Sequence, residues 1–147
     1  EEGTPLIIGG VSIPYLKGSK GHSDGDVLFH AIVDAILGAL ALGDIGEHFP
    51  SEDNRWENVN SKSFLEHAHN LMSDKGFSFG NLDATIILQQ PKLISHIIEM
   101  RKNIASILHA EIDSISVKAT TTDEMGFTGK GSGIAATAVV LIHSHGN

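Results

Sequence analysis

The apolar positions of the chain follow two rhythms. In "PLIIGGVSIP", Leu6, Ile8, Val11 and Ile13 alternate on either side of Gly9-Gly10, the pattern of two short strands joined by a hairpin turn. From Val27 the rhythm becomes helical. "VLFHAIVDAILGALAL" predicts a helix that starts at an N-cap, Asp26, runs to about Leu42 and is closed by Gly43. "GDIGEHFPSEDNRWENVNS" reads as loop. "SKSFLEHAHNLMSDKG" spaces Phe64, Leu65, Ala68, Leu71 and Met72 as a second helix beginning at Ser61. "NLDATIILQQP" is a strand stopped by Pro91, and "KLISHIIEMRKNIASILHA" an amphipathic helix. "SISVKATTT" is a strand, "DEMGFTGKGSG" a glycine-rich turn and "IAATAVVLIH" a closing strand. Helices of this kind need a sheet to bury their apolar stripes, so the order predicts a two-layer α/β sandwich of the α+β kind. One domain spans 1–147, without repeats or an interior boundary. The small residues Ala135, Ala136 and Ala138 predict a sheet face packed closely against something other than the helices, hence an oligomer.

Composition removes whole classes of function. Hydrophobic residues make up 41% and charged ones 19%, a globular balance. No apolar run approaches the ~18 residues of a membrane span. The opening "EEGTPLIIGG" lacks a signal-peptide pattern. Without cysteine there are no disulfides and no thiolate metal sites, which agrees with an intracellular protein. The net charge of −8, with scattered Lys and Arg, excludes a polyanionic nucleic acid as partner. A small anion held by backbone N–H groups, a lysine or two and a metal remains open. His143 and His145, in the polar tail "HSHGN", read as solvated.

The richest chemistry lies in "GHSDGDVLFH". Asp26, His30 and Asp34 fall at i, i+4 and i+8, on one stripe of the helix. They read either as an N-cap, a satisfied histidine and a solvated aspartate, or as part of a metal or phosphate site entered through His22, Ser23 and Asp24. One histidine does not make a zinc site, which needs three protein ligands. "GDIGEHFPSED" sets Asp44 and Gly46 beyond a helix end, followed by Glu52 and Asp53. Lys92, beside Pro91, is a solvated lysine or a phosphate contact. "KATTTDEMGFTGKGSG" ends a strand in threonines and glycines, with the spacing of neither a P-loop nor a dinucleotide fingerprint.

Together, "IIGGVSIP", "HSDGDVLFH", "GDIGEHFP", "ILQQPK" and "VKATTTDEMGFTGKGSGIA" resemble the 2-C-methyl-D-erythritol 2,4-cyclodiphosphate synthase family of the non-mevalonate isoprenoid pathway, in that family's order, from about Pro5 to Ile142. The resemblance implies a four-stranded mixed sheet with helices on one face, and a homotrimer with its sheets inward and active sites at the subunit boundaries. It implies a phosphorus–oxygen lyase. The 2-phosphate of 4-diphosphocytidyl-2-C-methyl-D-erythritol 2-phosphate attacks the β-phosphate, CMP leaves and the 2,4-cyclodiphosphate remains.

By the same resemblance His30 is a ligand of Zn2+ or another divalent metal. Asp123 holds Mg2+ or Mn2+ with the substrate phosphates. His22 and Thr121 act on the transition state, with Ser23 beside His22. The cytidine pocket is implied at Leu88, Gln89, Gln90, Pro91, Lys92, Leu93 and Ile94 with Thr120, Thr121, Thr122 and Asp123. Asp44, Ile45 and Gly46 meet the sugar or methylerythritol end; Phe49, Pro50, Ser51, Glu52 and Asp53 form the edge; Phe127 and Lys130 line a central channel.

Three departures stand out. The family's N-terminal strand carries an Asp-x-His pair, the other two metal ligands, which is missing here, so the natural chain is expected to extend upstream of Glu1. Asp123 stands for a glutamate and Lys130 for an arginine, which weakens bidentate anion binding. The alternatives are a metal-dependent phosphoesterase, a metal-binding or trimeric scaffold that has lost catalysis, and one half of a bifunctional protein fused to a cytidylyltransferase. The setting implied is a bacterial cytoplasm or a plastid-type organelle.

Overall fold

The computed structural model of the chain describes residues 6–14, 25–49, 60–89, 91–121 and 133–145. β1 (Leu6–Ile8) and β2 (Val11–Ile13) pair antiparallel with Ile8 opposite Val11, so Gly9 and Gly10 alone form the turn. Both have positive φ, 59° and 75°, the condition of a type I′ hairpin turn that side chains resist. A Cβ on Gly9 would also lie 2.8 Å from Met100 Cγ.

The turn is tied to the first helix. The Gly9 N–H donates to Asp26 Oδ1 at 2.9 Å and the Gly10 N–H to Oδ2 at 2.8 Å. The same carboxylate caps α1 (Val27–Ala39) by accepting from the Phe29 N–H at 3.0 Å. Asn103 Nδ2 donates to the Gly9 carbonyl at 2.9 Å. Asp26 is 1% exposed, so these donors do for it what water would otherwise do.

The other elements are α2 (Ile45–His48), α3 (Ser61–Asp74), β3 (Phe77–Ile87), α4 (Ile97–Leu108), β4 (Ile115–Thr120) and β5 (Ala135–Ser144). β3 is the centre of a three-stranded mixed sheet, with β4 parallel on one side and β5 antiparallel on the other. A register shift between Phe79 and Asn81 marks a bulge at Gly80. A Cβ there would meet the Leu141 carbonyl oxygen at 2.7 Å and His143 Nε2 at 2.8 Å. Leu82, Ala84 and Ile86 of β3, with Ile115 and Val117 of β4, face one core shared with Ile32 and Ile36 of α1, Leu65 and Met72 of α3, and Met100 and Ile104 of α4. The opposite sheet face carries Asp83, Ser116 and Lys118, all exposed, and Val139 and Leu141, 73% and 54% exposed.

Several expectations are corrected. The expected four-stranded sheet is, among the described residues, three strands plus a separate two-stranded hairpin, whose short strands pair with each other and bury Leu6, Ile8, Val11 and Ile13. The α1 helix stops at Ala39 rather than near Leu42, because Ala41 takes the left-handed conformation (φ 57°) and the Leu42 N–H returns to the Leu37 carbonyl at 2.9 Å. The segment read as loop after Gly43 contains α2, held by a reciprocal capping box between Asp44 and Glu47.

The third strand starts at Phe77, earlier than expected, and a 3₁₀ turn (Ile94–His96) precedes α4. Of the small residues of β5, Ala138 packs against the helix-facing core, opposite Ala84, where a short side chain lets a helix approach. His143 and His145 are exposed, as the solvated reading expects, while His143 also pairs with Ser78 in the sheet and the His145 N–H donates to the Gly76 carbonyl at 2.8 Å.

Replacing Asp26 by Ala should destabilise the chain by roughly 2–4 kcal/mol, an ordinary cap (~1 kcal/mol) plus ~1–3 kcal/mol for the buried Gly9 N–H left unpaired. Urea denaturation measures this. A loss below about 1 kcal/mol would mean that water replaces the carboxylate.

Candidate active site

Because β3 and β4 run parallel, their C-terminal ends come out together. The ladder closes with the Leu88 N–H donating to the Thr120 carbonyl at 3.0 Å. Beyond it the chain leaves β3 through Gln89 and turns at Pro91 toward α4, while β4 runs into Thr121. This divergence opens a cavity of about 720 Å³, within the usual range for a small-molecule site and at the strand end where such sites form. Leu93, Ile97 and Val117 supply apolar wall; Gln89, Lys92 and Thr121 bring polar groups.

Thr121 Oγ1 donates to Gln89 Oε1, joining the two strand exits. Lys92 is exposed at the cavity. Lys118, also on the lining, is engaged by Asp83 at 3.0 Å. The Lys118 ammonium, and then the Ser116 hydroxyl, hold the Asp83 carboxyl below its usual range.

A second group forms where α1 meets α3. His30 Nε2 lies 2.9 Å from Ser61 Oγ, at the first turn of α3, whose N-cap Asn60 accepts from the Ser63 N–H at 3.0 Å. The imidazole sits 5.9 Å from the Phe64 ring, Phe64 sits 4.8 Å from Phe49, and Phe49 meets His67 edge-on at 5.3 Å. This aromatic row draws the end of α2 against α3. His48 Nε2 also contacts the Leu42 carbonyl at 2.7 Å, so Asp44, Ile45 and Gly46 are fixed close to the end of α1.

Sequence-derived candidates thus fall into two clusters. Leu88, Gln89, Pro91, Lys92, Leu93, Ile94, Thr120 and Thr121 line one cavity. His30 and Phe49 share the aromatic row, with Asp44 to Gly46 on the adjoining short helix. The stripe of Asp26, His30 and Asp34 is not one site: Asp26 is spent on the hairpin and cap, and Asp34 is exposed on the next turn. His22, Ser23, Asp24, Pro50, Ser51, Glu52, Asp53, Gln90, Thr122, Asp123, Phe127 and Lys130 lie outside the described residues.

For the metal, the donor set is decisive. Among the described residues no three His, Asp or Glu groups are gathered to hold an ion, so His30 is a single donor and does not by itself fit a three-ligand zinc site. Sequence reasoning missed Ser61 and Phe64 as the supports of His30; their signal is the N-cap at Asn60, which sets the phase of α3. It also missed the capping box, legible as Asp44-x-x-Glu47. No helix among the described residues is long and apolar enough to cross a membrane.

Comparison with known proteins gives concordant results. The YgbB family model matches residues 1–143. The 2-C-methyl-D-erythritol 2,4-cyclodiphosphate synthase of Geobacter metallireducens is 59% identical over 141 residues, covering 96% of this chain and 90% of the relative. That of Alkaliphilus oremlandii is 59% identical over 137 residues, 93% of this chain and 87% of the relative. Among solved structures, the bifunctional IspDF from Campylobacter jejuni superposes with a TM-score of 0.91 at 42% identity, over 98% of this chain and 39% of that longer one. The CDP complex of Plasmodium falciparum IspF does so with a TM-score of 0.86 at 36% identity, over 99% and 88%. The chain belongs to the YgbB family and groups within it with the 2-C-methyl-D-erythritol 2,4-cyclodiphosphate synthases.

Proposed function

We propose that this synthase converts 4-diphosphocytidyl-2-C-methyl-D-erythritol 2-phosphate to the 2,4-cyclodiphosphate with release of CMP, and that the cavity beyond β3 and β4 is its cytidine side. The observation that carries the cavity assignment is the convergence of Leu88–Gln89, Pro91–Ile94 and Thr120–Thr121 on a space of about 720 Å³. A relative of the same fold, 36% identical, has been solved with CDP. An apolar wall of Leu93, Ile97 and Val117 suits a pyrimidine and ribose, and Lys92 suits the diphosphate.

The reaction must bring two anionic phosphates together, so its demand is for positioning and charge neutralisation rather than a covalent nucleophile. In this reading Thr121, fixed by Gln89 at the strand exit, holds the phosphorus under attack in line, and His22 with Ser23 meets the 2-phosphate. Asp44 to Gly46 and the segment Phe49 to Asp53 close the methylerythritol end; Gln90, Thr122, Asp123, Phe127 and Lys130 keep the roles the resemblance implies. A divalent metal, with His30 as one ligand and its other ligands outside the described residues, would supply Lewis-acid neutralisation, and Asp123 would hold Mg2+ or Mn2+.

The assembly proposed is a homotrimer joined through the outer sheet face. Support comes from Val139 and Leu141, two large apolar side chains 73% and 54% exposed on a face that, among the described residues, carries no helix. The setting proposed is the bacterial cytoplasm.

Incubation with the substrate should yield cyclic diphosphate and CMP; free phosphate instead would indicate a phosphoesterase. Thr121→Ala should lower kcat about 10²–10³-fold, the effect of one lost transition-state donor, with little change in KM. A rise in KM alone would make Thr121 a ground-state contact.

His30→Ala should lose turnover and bound metal together while the melting temperature stays near that of the native chain. Full metal content in that variant would remove His30 from the metal site.

Val139→Asp should convert the trimer to monomers in light scattering. A trimer unchanged by that charge would place the interface elsewhere.

A further inference from the structure

We propose that Ser61 is the positioning residue of His30: its hydroxyl accepts from the imidazole Nε2–H and leaves the ring's lone pair on Nδ1. The proposal rests on the reading above that His30 serves the reaction through a ring-nitrogen lone pair. It adds which nitrogen carries that lone pair and which side chain decides it. The contact joins Ser61 Oγ to His30 Nε2 at 2.9 Å, across 31 positions of sequence.

A serine at a helix start usually caps it, its oxygen accepting from a first-turn N–H. Here Asn60 does that work, accepting from the Ser63 N–H at 3.0 Å. Ser61 is instead the first residue of α3, and its hydroxyl reaches across to α1. It is 1% exposed and, with Asp26, one of two buried polar residues among the described residues. Burying a hydroxyl costs stability unless it finds a partner, a cost alanine would not carry. The imidazole is such a partner.

The hydroxyl decides two things that packing alone leaves open. Phe64, one turn further along α3, meets the His30 ring with centroids 5.9 Å apart. Turning the imidazole over about its Cβ–Cγ bond would keep that ring contact but put Cε1 where Nε2 now meets Ser61. Only the hydroxyl distinguishes the two orientations. It also selects the tautomer, because a neutral imidazole has one N–H and one lone pair. With Nε2–H donated to Oγ, Nδ1 keeps its lone pair. In the opposite sense Oγ–H would donate to Nε2, Nδ1 would carry the proton, and His30 would have no lone pair to offer. Both ends of the contact are anchored by helix caps, Asp26 for α1 and Asn60 for α3.

The test compares the native full chain with Ser61→Ala, Ser61→Thr and His30→Ala. Ser61→Ala should lower kcat about 10–100-fold, the usual effect of removing the group behind a working histidine, with KM nearly unchanged. Ser61→Thr keeps the hydroxyl and should recover most of that loss. Long-range nitrogen–proton correlation spectra read the ring directly, with His30 identified by the signals that His30→Ala lacks. The native protein should carry the His30 proton on Nε2; Ser61→Ala should show mixed tautomers and faster Nε2–H exchange. A serine that only supports the fold would lower the melting temperature and leave kcat and these signals unmoved. Native kcat in Ser61→Ala beside an inactive His30→Ala overturns the proposal and keeps the reading of His30. A native His30 protonated on Nδ1 also overturns it, as does a folded Ser61→Thr as slow as Ser61→Ala. Native turnover in His30→Ala is the distinct outcome in which the reading itself falls and the proposal with it. Should Ser61→Thr fail to fold, the alanine variant and the native spectrum decide.

Discussion

One buried carboxylate governs the start of this fold. Asp26 accepts from both turn amides of the hairpin and from the first turn of α1, so a single side chain fixes the angle between them. Two consecutive left-handed glycines turn their N–H groups to the same side, which makes a small anion-binding concavity. Here the anion is the protein's own. The consequence reaches the site, because α1 carries His30 on its first turn, and the orientation of α1 decides how that imidazole meets Ser61 and Phe64. The hairpin is thereby bound to the helix that carries His30, and Asn103 ties the same turn to α4.

The second constraint is the parallel pairing of β3 and β4. In a parallel pair both strands end on the same side, and the polypeptide must leave in two directions. Pro91 cannot continue a ladder, which forces one exit; the other leaves β4 at Thr121. The cavity is the space left by that divergence. Gln89 and Thr121 at the exits are among its polar groups, while its apolar wall belongs in part to residues that also serve the core, Leu88, Leu93 and Val117. Cavity wall and hydrophobic core are continuous here, so changes in Leu93 or Val117 act on stability and pocket shape together.

Helix endings show how local chemistry sets geometry elsewhere. The α1 and α4 helices both close with a left-handed residue that is not glycine, Ala41 and His109. At α1 the cost comes with a tight return that points the chain at Asp44, where the capping box starts α2. At α4 the same device brings an imidazole beside His69. Equivalent backbone motifs therefore have different consequences, set by the side chain that occupies the left-handed position.

Much of this was written into the sequence by period and punctuation. Alternation around Gly9-Gly10 determines the hairpin, the spacing after Val27 and Ser61 determines two helices, Asp26 announces its cap, and ordered motifs carry the family and its candidate residues. These are local facts: a turn needs its glycines and a helix its apolar stripe regardless of what lies across the molecule. Where α1 stops, that 45–48 is helical, and that Ala138 faces the helices were decided by competition among tertiary contacts. Sequence spacing likewise put Asp26, His30 and Asp34 on one stripe, and only the three-dimensional fold showed that Asp26 is consumed by two amides about sixteen residues upstream. A pattern along the chain fixes which residues share a face. Which donor claims a given carboxylate depends on distance through space, and that exists only once the elements have packed.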